Sequence, residues 1–190
     1  MHPAVFLDRD GVLIKDVNYL ADPNGIEILD GVPAALQALA AAGYVCPVVT
    51  NQSGIARGLL DETVLGSIHC RLDELLSTEG AAVDGYWHCP HLPGAGKEPE
   101  PCRCRKPAPG LLEASAKSLE IDLQRSWCVG DRPRDLLAAA ALDVRGILIR
   151  RSDDPGAQEV LRAAGATPHS VTDSLAGAVR VVLEAGRQGR

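Results

Sequence analysis

The chain has 190 residues, 46% of them hydrophobic and 23% charged, with a formal net charge of −6. That length fits one domain with a sizeable core, or a core with a small insertion, and the acidic balance argues against a nucleic-acid partner, which would want a basic field. No apolar run approaches the ~20 residues of a membrane span, and Met1-His2-Pro3 leads into an apolar stretch with neither a basic segment nor a cleavage pattern, so a cytoplasmic protein is expected.

Ala4–Leu7 is a short apolar run that ends in an acidic loop and reads as a buried strand. Val32–Ala42 is rich in Ala and Leu, stops at Gly43, and predicts a helix. Val45–Val49 is a second strand, weakened by Pro47 inside it. Asp61 suits the cap of a helix running to about Glu79, and Val83–His88 predicts a third strand. From Cys89 to Pro109 the composition turns to Pro, Gly, Cys and charge, which predicts a loop without a core of its own. Pro109–Leu119 reads as a helix with Pro at its start. Ser126–Val129 is a strand ending in Gly130-Asp131, Asp135–Leu142 a helix, and Gly146–Ile149 a strand. Helices around Pro155–Ala164 and Ser174–Ala185 close the chain. Strands apolar on both faces that alternate with helices predict an α/β fold: a Rossmann-like, doubly wound parallel sheet with helices on both faces. No cap-sized insertion and no long linker appears, so 1–190 is expected to be one domain carrying a stapled loop at 89–104.

In such sheets ligands bind at the carboxyl ends of the strands. Three polar clusters fall there: Asp8-Arg9-Asp10-Gly11, Thr50-Asn51-Gln52-Ser53 and Gly130-Asp131, the last followed by Asp135. Carboxylates gathered so closely repel unless a proton or a cation intervenes. A hard divalent ion with oxygen ligands, Mg²⁺, fits. A carboxylate nucleophile can take a phosphoryl group and divide one hard hydrolysis into two easier steps, and a second acid can give a proton to the leaving oxygen and later take one from water. Thr50, Asn51 and Lys106 offer donors and charge for the transferring group.

Cys89, His91, Cys102 and Cys104 form a C-x-H and C-x-C pair inside the Pro/Gly-rich loop. Four S/N ligands meet the tetrahedral demand of structural zinc, and a coreless loop needs such a staple. His88 is expected to point away from Cys89. Cys46, Cys70 and Cys128 read as buried small hydrophobes rather than reactive groups.

Asp8-Arg9-Asp10-Gly11, Thr50-Asn51, Lys106 and Gly130-Asp131 with Asp135 together resemble the four ordered motifs of the haloacid-dehalogenase superfamily, from Phe6 to about Ile149. The resemblance implies Asp8 as nucleophile, Asp10 as general acid and base, and Thr50 and Lys106 as stabilisers of the phosphoryl group. It implies Mg²⁺ on Asp8, the backbone carbonyl of Asp10, and Asp131. An Asp at position 10 implies phosphate hydrolysis. The loop Cys89-Pro90-His91 with Cys102-Arg103-Cys104-Arg105-Lys106-Pro107 resembles two groups, the heptose bisphosphate phosphatases and the histidinol-phosphate phosphatases. Thr50–Gly58 resembles the heptose group, since the histidinol group tends to carry Asp where Ser53 stands. The resemblance also implies substrate contacts from Asp16, Val17, Asn18 and Tyr19, from Asn51, Gln52 and Ser53, and from Arg105 and Arg132. Arg132, Pro133 and Arg134 depart from the family pattern, which has Lys after the motif Asp and an acid before Asp135. The expected enzyme is a monomer acting on a phosphorylated sugar, with neither a nucleic acid nor a membrane as partner. A zinc-stabilised binding module with a dead site is the reading of another class.

Overall fold

The computed structural model describes residues 1–94, 102–150, 154 and 156–188. The middle of the cysteine loop, at 95–101, and Pro155, where a helix is expected to begin, lie outside the described residues.

Six strands form one parallel sheet in the order β3-β2-β1-β4-β5-β6. They are β1 (Val5–Leu7), β2 (Val48–Asn51), β3 (Tyr86–Cys89), β4 (Trp127–Gly130), β5 (Arg145–Ile149) and β6 (Ser170–Thr172). Between them lie α1 (Val32–Ala41), α2 (Glu62–Thr78), α3 (Gly110–Ser118), α4 (Pro133–Ala140), α5 (Ala157–Ala163) and the terminal α6 (Leu175–Gln188). The pleat sorts the core. Val5, Leu7, Val48, Trp127 and Val129 pack with α1, α2 and α6 on one face, while Phe6, Val49, Cys128 and Cys89 pack with α3 and α4 on the other. Burial on both faces is what an uninterrupted apolar strand requires. Among the described residues no helix is long and apolar enough to cross a membrane.

Boundaries follow local chemistry. β2 begins after Pro47, because a proline has no N–H for the ladder; Leu7 N–H still reaches the Pro47 carbonyl at 2.9 Å. Gly43 turns the chain out of α1 at φ +82°. Asp61 caps α2, its carboxylate accepting from Val64 N–H at 2.8 Å. Asp61→Ala is expected to cost about 1 kcal/mol, read as a lower urea midpoint at unchanged slope; an unchanged midpoint would make the cap decorative.

β1 sits between β2 and β4, so the chain leaves the sheet in opposite directions on either side of it. The crevice opened by that reversal lies at the carboxyl ends of these strands.

Candidate active site

Asp8 follows β1 directly, and its N–H is tied to the Val129 carbonyl of β4 at 3.1 Å. Gly11, at φ +81°, then turns the chain sharply, and its N–H donates to the Ile14 carbonyl at 2.7 Å. Thr50 and Asn51 end β2, and Asp131 follows β4. These residues line a cavity of about 520 Å³ with Asp10, Gln52, Ser53, Asp16, Asn18, Tyr19, Arg105 and Arg132. The predicted strand-end clusters therefore meet. Val17 does not line the cavity: its side chain is exposed.

The floor is built from charge. One carboxylate oxygen each from Asp8, Asp131 and Asp135 lie within 4.8 Å of one another, all three residues buried. Lys106, also buried, reaches beneath them from the cysteine loop. Its ammonium donates to Asp8 Oδ1 at 2.9 Å and to the Val49 carbonyl at 2.6 Å, and forms an ion pair with Asp135 Oδ1 at 2.7 Å. Burial pulls the Lys106 pKa down, but Asp135 and Asp8 outweigh it and the net shift is upward, so the lysine stays charged. Burial pushes Asp135 up, against the opposing pull of Lys106. Asp135 Oδ2 also accepts from Arg132 N–H at 3.0 Å, closing the first turn of α4. Asp135 thus serves both the carboxylate floor and the capping box of α4. Three buried carboxylates around one ammonium leave an excess of negative charge, and their hard oxygen donors fit a divalent cation of the Mg²⁺ type.

Asp10 lies apart from this trio. Its carboxylate accepts from Arg9 Nη2 at 3.0 Å and from Gln52 Nε2 at 2.9 Å. Burial raises its pKa, Arg9 pulls it back, and Asp8 adds to the rise, with a net upward shift. A carboxyl so placed keeps its proton more readily than a solvated one. Gln52 Nε2 also donates to Thr50 Oγ1 at 2.9 Å.

Asn51, expected as a substrate contact, lines the cavity and also ties down the lysine-bearing loop. Its side-chain amide donates to the Lys106 carbonyl at 3.0 Å, and its carbonyl accepts from Lys106 N–H at 3.1 Å. This two-way clasp holds the lysine-bearing loop against β2. Arg9, Arg57, Arg134 and Asp154 were not among the expected site residues, yet all line the cavity. Arg9 sits between two motif acids, which was the available signal. Arg57 lies over the Tyr19 ring, 5.5 Å from its centroid. Arg132 reaches Asp154 at 3.5 Å and Asp16 at 3.9 Å.

Cys89, at the end of β3, meets His91, Cys102 and Cys104 in one cluster, with ligand atoms within 4.8 Å. His91 Nδ1 faces Cys102 Sγ at 2.9 Å and Cys104 Sγ at 3.3 Å. All six cysteines are free; Cys46 and Cys128 are buried as expected, whereas Cys70 is exposed, on the outward side of α2. This S₃N set fits tetrahedral zinc. His88 turns away to Glu62 at 2.9 Å. Arg105 follows the last cysteine and donates to the His91 carbonyl at 3.0 Å, so the cluster places it at the cavity.

Residues 103–178 match the HAD-hydrolase-like family. The D-glycero-beta-D-manno-heptose-1,7-bisphosphate 7-phosphatase of Photorhabdus laumondii is 38% identical over 173 residues, 90% of this chain and 92% of the relative. The enzyme of that name from Escherichia coli K12 is also 38% identical, over 90% of this chain and 91% of its own. The D,D-heptose 1,7-bisphosphate phosphatase of B. bronchiseptica, solved with magnesium and phosphate, superposes with a TM-score of 0.80 at 33% identity, covering 96% of this chain and 99% of that one. The ordered motifs, the sheet that gathers them and these likenesses agree: the chain belongs to the heptose bisphosphate phosphatase family of the haloacid-dehalogenase-like hydrolases.

Proposed function

We propose that the chain is a Mg²⁺-dependent phosphatase that removes the 7-phosphate of D-glycero-D-manno-heptose 1,7-bisphosphate through an aspartyl-phosphate on Asp8, in nucleotide-activated heptose biosynthesis. The observation that carries this reading is the carboxylate trio of Asp8, Asp131 and Asp135, two of which, Asp8 and Asp131, line an arginine-bearing cavity, with Lys106 ion-paired to Asp8 and Asp135.

Asp8 attacks phosphorus, and the ester P–O bond breaks. Asp10, protonated, gives its proton to the departing C7 oxygen. It then takes a proton from the water that attacks the acyl phosphate, and Asp8 returns as carboxylate. Lys106 offsets negative charge at Asp8, 2.9 Å away, and Thr50 offers its hydroxyl to a phosphoryl oxygen. Asp8, Asp131 and the Asp10 carbonyl would hold Mg²⁺, which when bound would supply the positive charge that admits an anionic phosphate beside carboxylates. A second phosphate needs cations away from the metal, and Arg105 and Arg132 line the cavity to meet it, with Asp16, Asn18, Tyr19 and Ser53 around the sugar. The reading includes zinc on the cysteine loop, and a monomeric, cytoplasmic enzyme.

Phosphate release with Mg²⁺ from both heptose 1,7-bisphosphate anomers, histidinol phosphate and fructose 1,6-bisphosphate tests the substrate. Preference for a heptose anomer is expected; preference for histidinol phosphate would overturn the heptose reading and keep the mechanism.

Zinc has a separable effect. Lys106 is anchored by the Asn51 clasp, Asp8, Asp135 and Val49, whereas Arg105 leans on the His91 carbonyl. Cys104→Ser, or removal of zinc by a chelator, is expected to raise KM for the bisphosphate about tenfold and to change kcat far less. Loss of kcat at constant KM would show that the loop positions Lys106 instead.

A further inference from the structure

Arg9 is a charged side chain almost without solvent contact, 1% exposed. A guanidinium has donors only, so a buried one must be surrounded by acceptors. Its Nε and Nη2 face Asp10, at 3.3 and 3.0 Å from Oδ1. Its Nη1 faces Nε2 of His69, 3.5 Å away. Since arginine cannot accept, His69 must present a lone pair at Nε2, which requires the neutral ring. Burial, then Arg9 and His88, hold the His69 pKa down to about 3, so the ring is neutral.

His69 belongs to α2, away from the strand-end clusters, and is itself held in place. It stacks on Tyr86 of β3 with centroids 4.0 Å apart and rings 7° from parallel. The Tyr86 hydroxyl donates to Asp73 Oδ1 at 2.6 Å. His88 approaches edge-on at 6.3 Å and is fixed by Glu62. The contact from Arg9 to His69 is long, so His69 acts as much by filling the space behind the guanidinium as by accepting a bond. On its other side Asp10 meets Gln52, which also holds Thr50. The acid lies on the loop after β1, and the donors of Arg9 and Gln52 hold its carboxylate in place.

We infer that His69, seated on Tyr86, is a positioning residue of the reaction: it fixes the Arg9 guanidinium, which fixes the carboxylate of Asp10 that exchanges the proton. This rests on the role proposed for Asp10. Proton transfer needs heavy atoms within about 2.6–3.2 Å and contributes roughly 10²–10⁴-fold. A loosened carboxylate forfeits part of that factor and leaves metal binding alone.

The test uses His69→Ala, His69→Phe and His69→Gln in the full chain, with kcat/KM measured on two classes of ester. One is an alkyl phosphate, the heptose bisphosphate or any sugar phosphate the wild type turns over. The other is 4-nitrophenyl phosphate, whose phenolate leaves without a proton. His69→Ala is expected to lose about tenfold on the alkyl ester and less than twofold on the aryl ester, with the Mg²⁺ requirement unchanged. His69→Phe, which keeps bulk without a lone pair, is expected to fall between, and His69→Gln to recover most of the loss. Equal losses on both esters, or none on either in protein shown folded by circular dichroism, would overturn the inference. A wild type that ignores heptose bisphosphate but hydrolyses other alkyl phosphates would sink the substrate assignment alone, because the alkyl-to-aryl ratio still decides the role of His69.

Discussion

Asp8→Asn is expected to reduce turnover by about 10⁴-fold or more while making the metal-free protein more resistant to heat. An amide cannot take the phosphoryl group, which accounts for the first effect. The second follows from the floor of the site. Asp8, Asp131 and Asp135 are buried with Lys106 between two of them, and Asp8 helps to push Asp135 up. Replacing one carboxylate by its neutral isostere removes repulsion and keeps an acceptor for Lys106, so the melting temperature without metal should rise by roughly a few degrees. Mg²⁺ should then stabilise the variant less than the wild type. Phosphate release and thermal melts with and without Mg²⁺ check both. Turnover within tenfold of wild type would remove Asp8 from the nucleophile's place.

Lys106→Met should carry the largest stability cost. It leaves Asp8 and Asp135 buried without their shared cation, a loss of about 3–5 kcal/mol, alongside a turnover loss of roughly 10²–10³-fold. The stability penalty should shrink as pH falls, since each proton taken up by a stranded carboxylate removes a buried charge; Asp135 is already displaced upward by burial. Lys106→Arg should rescue little, because a planar fork does not fit a buried socket shaped around one ammonium between two carboxylates and a carbonyl. Urea midpoints at several pH values, with turnover per folded molecule, decide the matter. A midpoint shift worth under 1 kcal/mol would mean that water or a counterion replaces the lysine.

Much of this site was legible because its parts are short-range signals. An apolar run ending in Asp-x-Asp-Gly, or Asp131 at the end of β4, announces a strand end that faces a ligand. The meeting of Cys89, His91, Cys102 and Cys104 was likewise written in their spacing. What escaped depends on the partner a side chain finds far along the chain. Asn51 reads as a phosphate or substrate contact, yet its amide is taken up by the backbone of Lys106, 55 residues away. Arg9 reads as a spacer between two acids until His69 from α2 closes over it. Val17 lies between two cavity residues but faces out. β6 escaped because Ser170–Thr172 is only three residues, none of them fully buried. The start of β2 shifted because the missing N–H of Pro47 counted for more than the apolar run around it.

The placing of β1 between β2 and β4 has a consequence for how the protein is made. Asp8 and Asp135 are separated by most of the chain, and β1 finds its second neighbour only when Trp127–Gly130 has left the ribosome. Until then the nascent protein can join β1 to β2 and β2 to β3, with one edge of β1 unpaired and apolar side chains on both of its faces. Non-local pairing of this kind is slow and exposes sticky edges. A truncated chain ending before β4 therefore carries the first three motifs, Lys106 included, but lacks Asp131 and Asp135 and has no complete site.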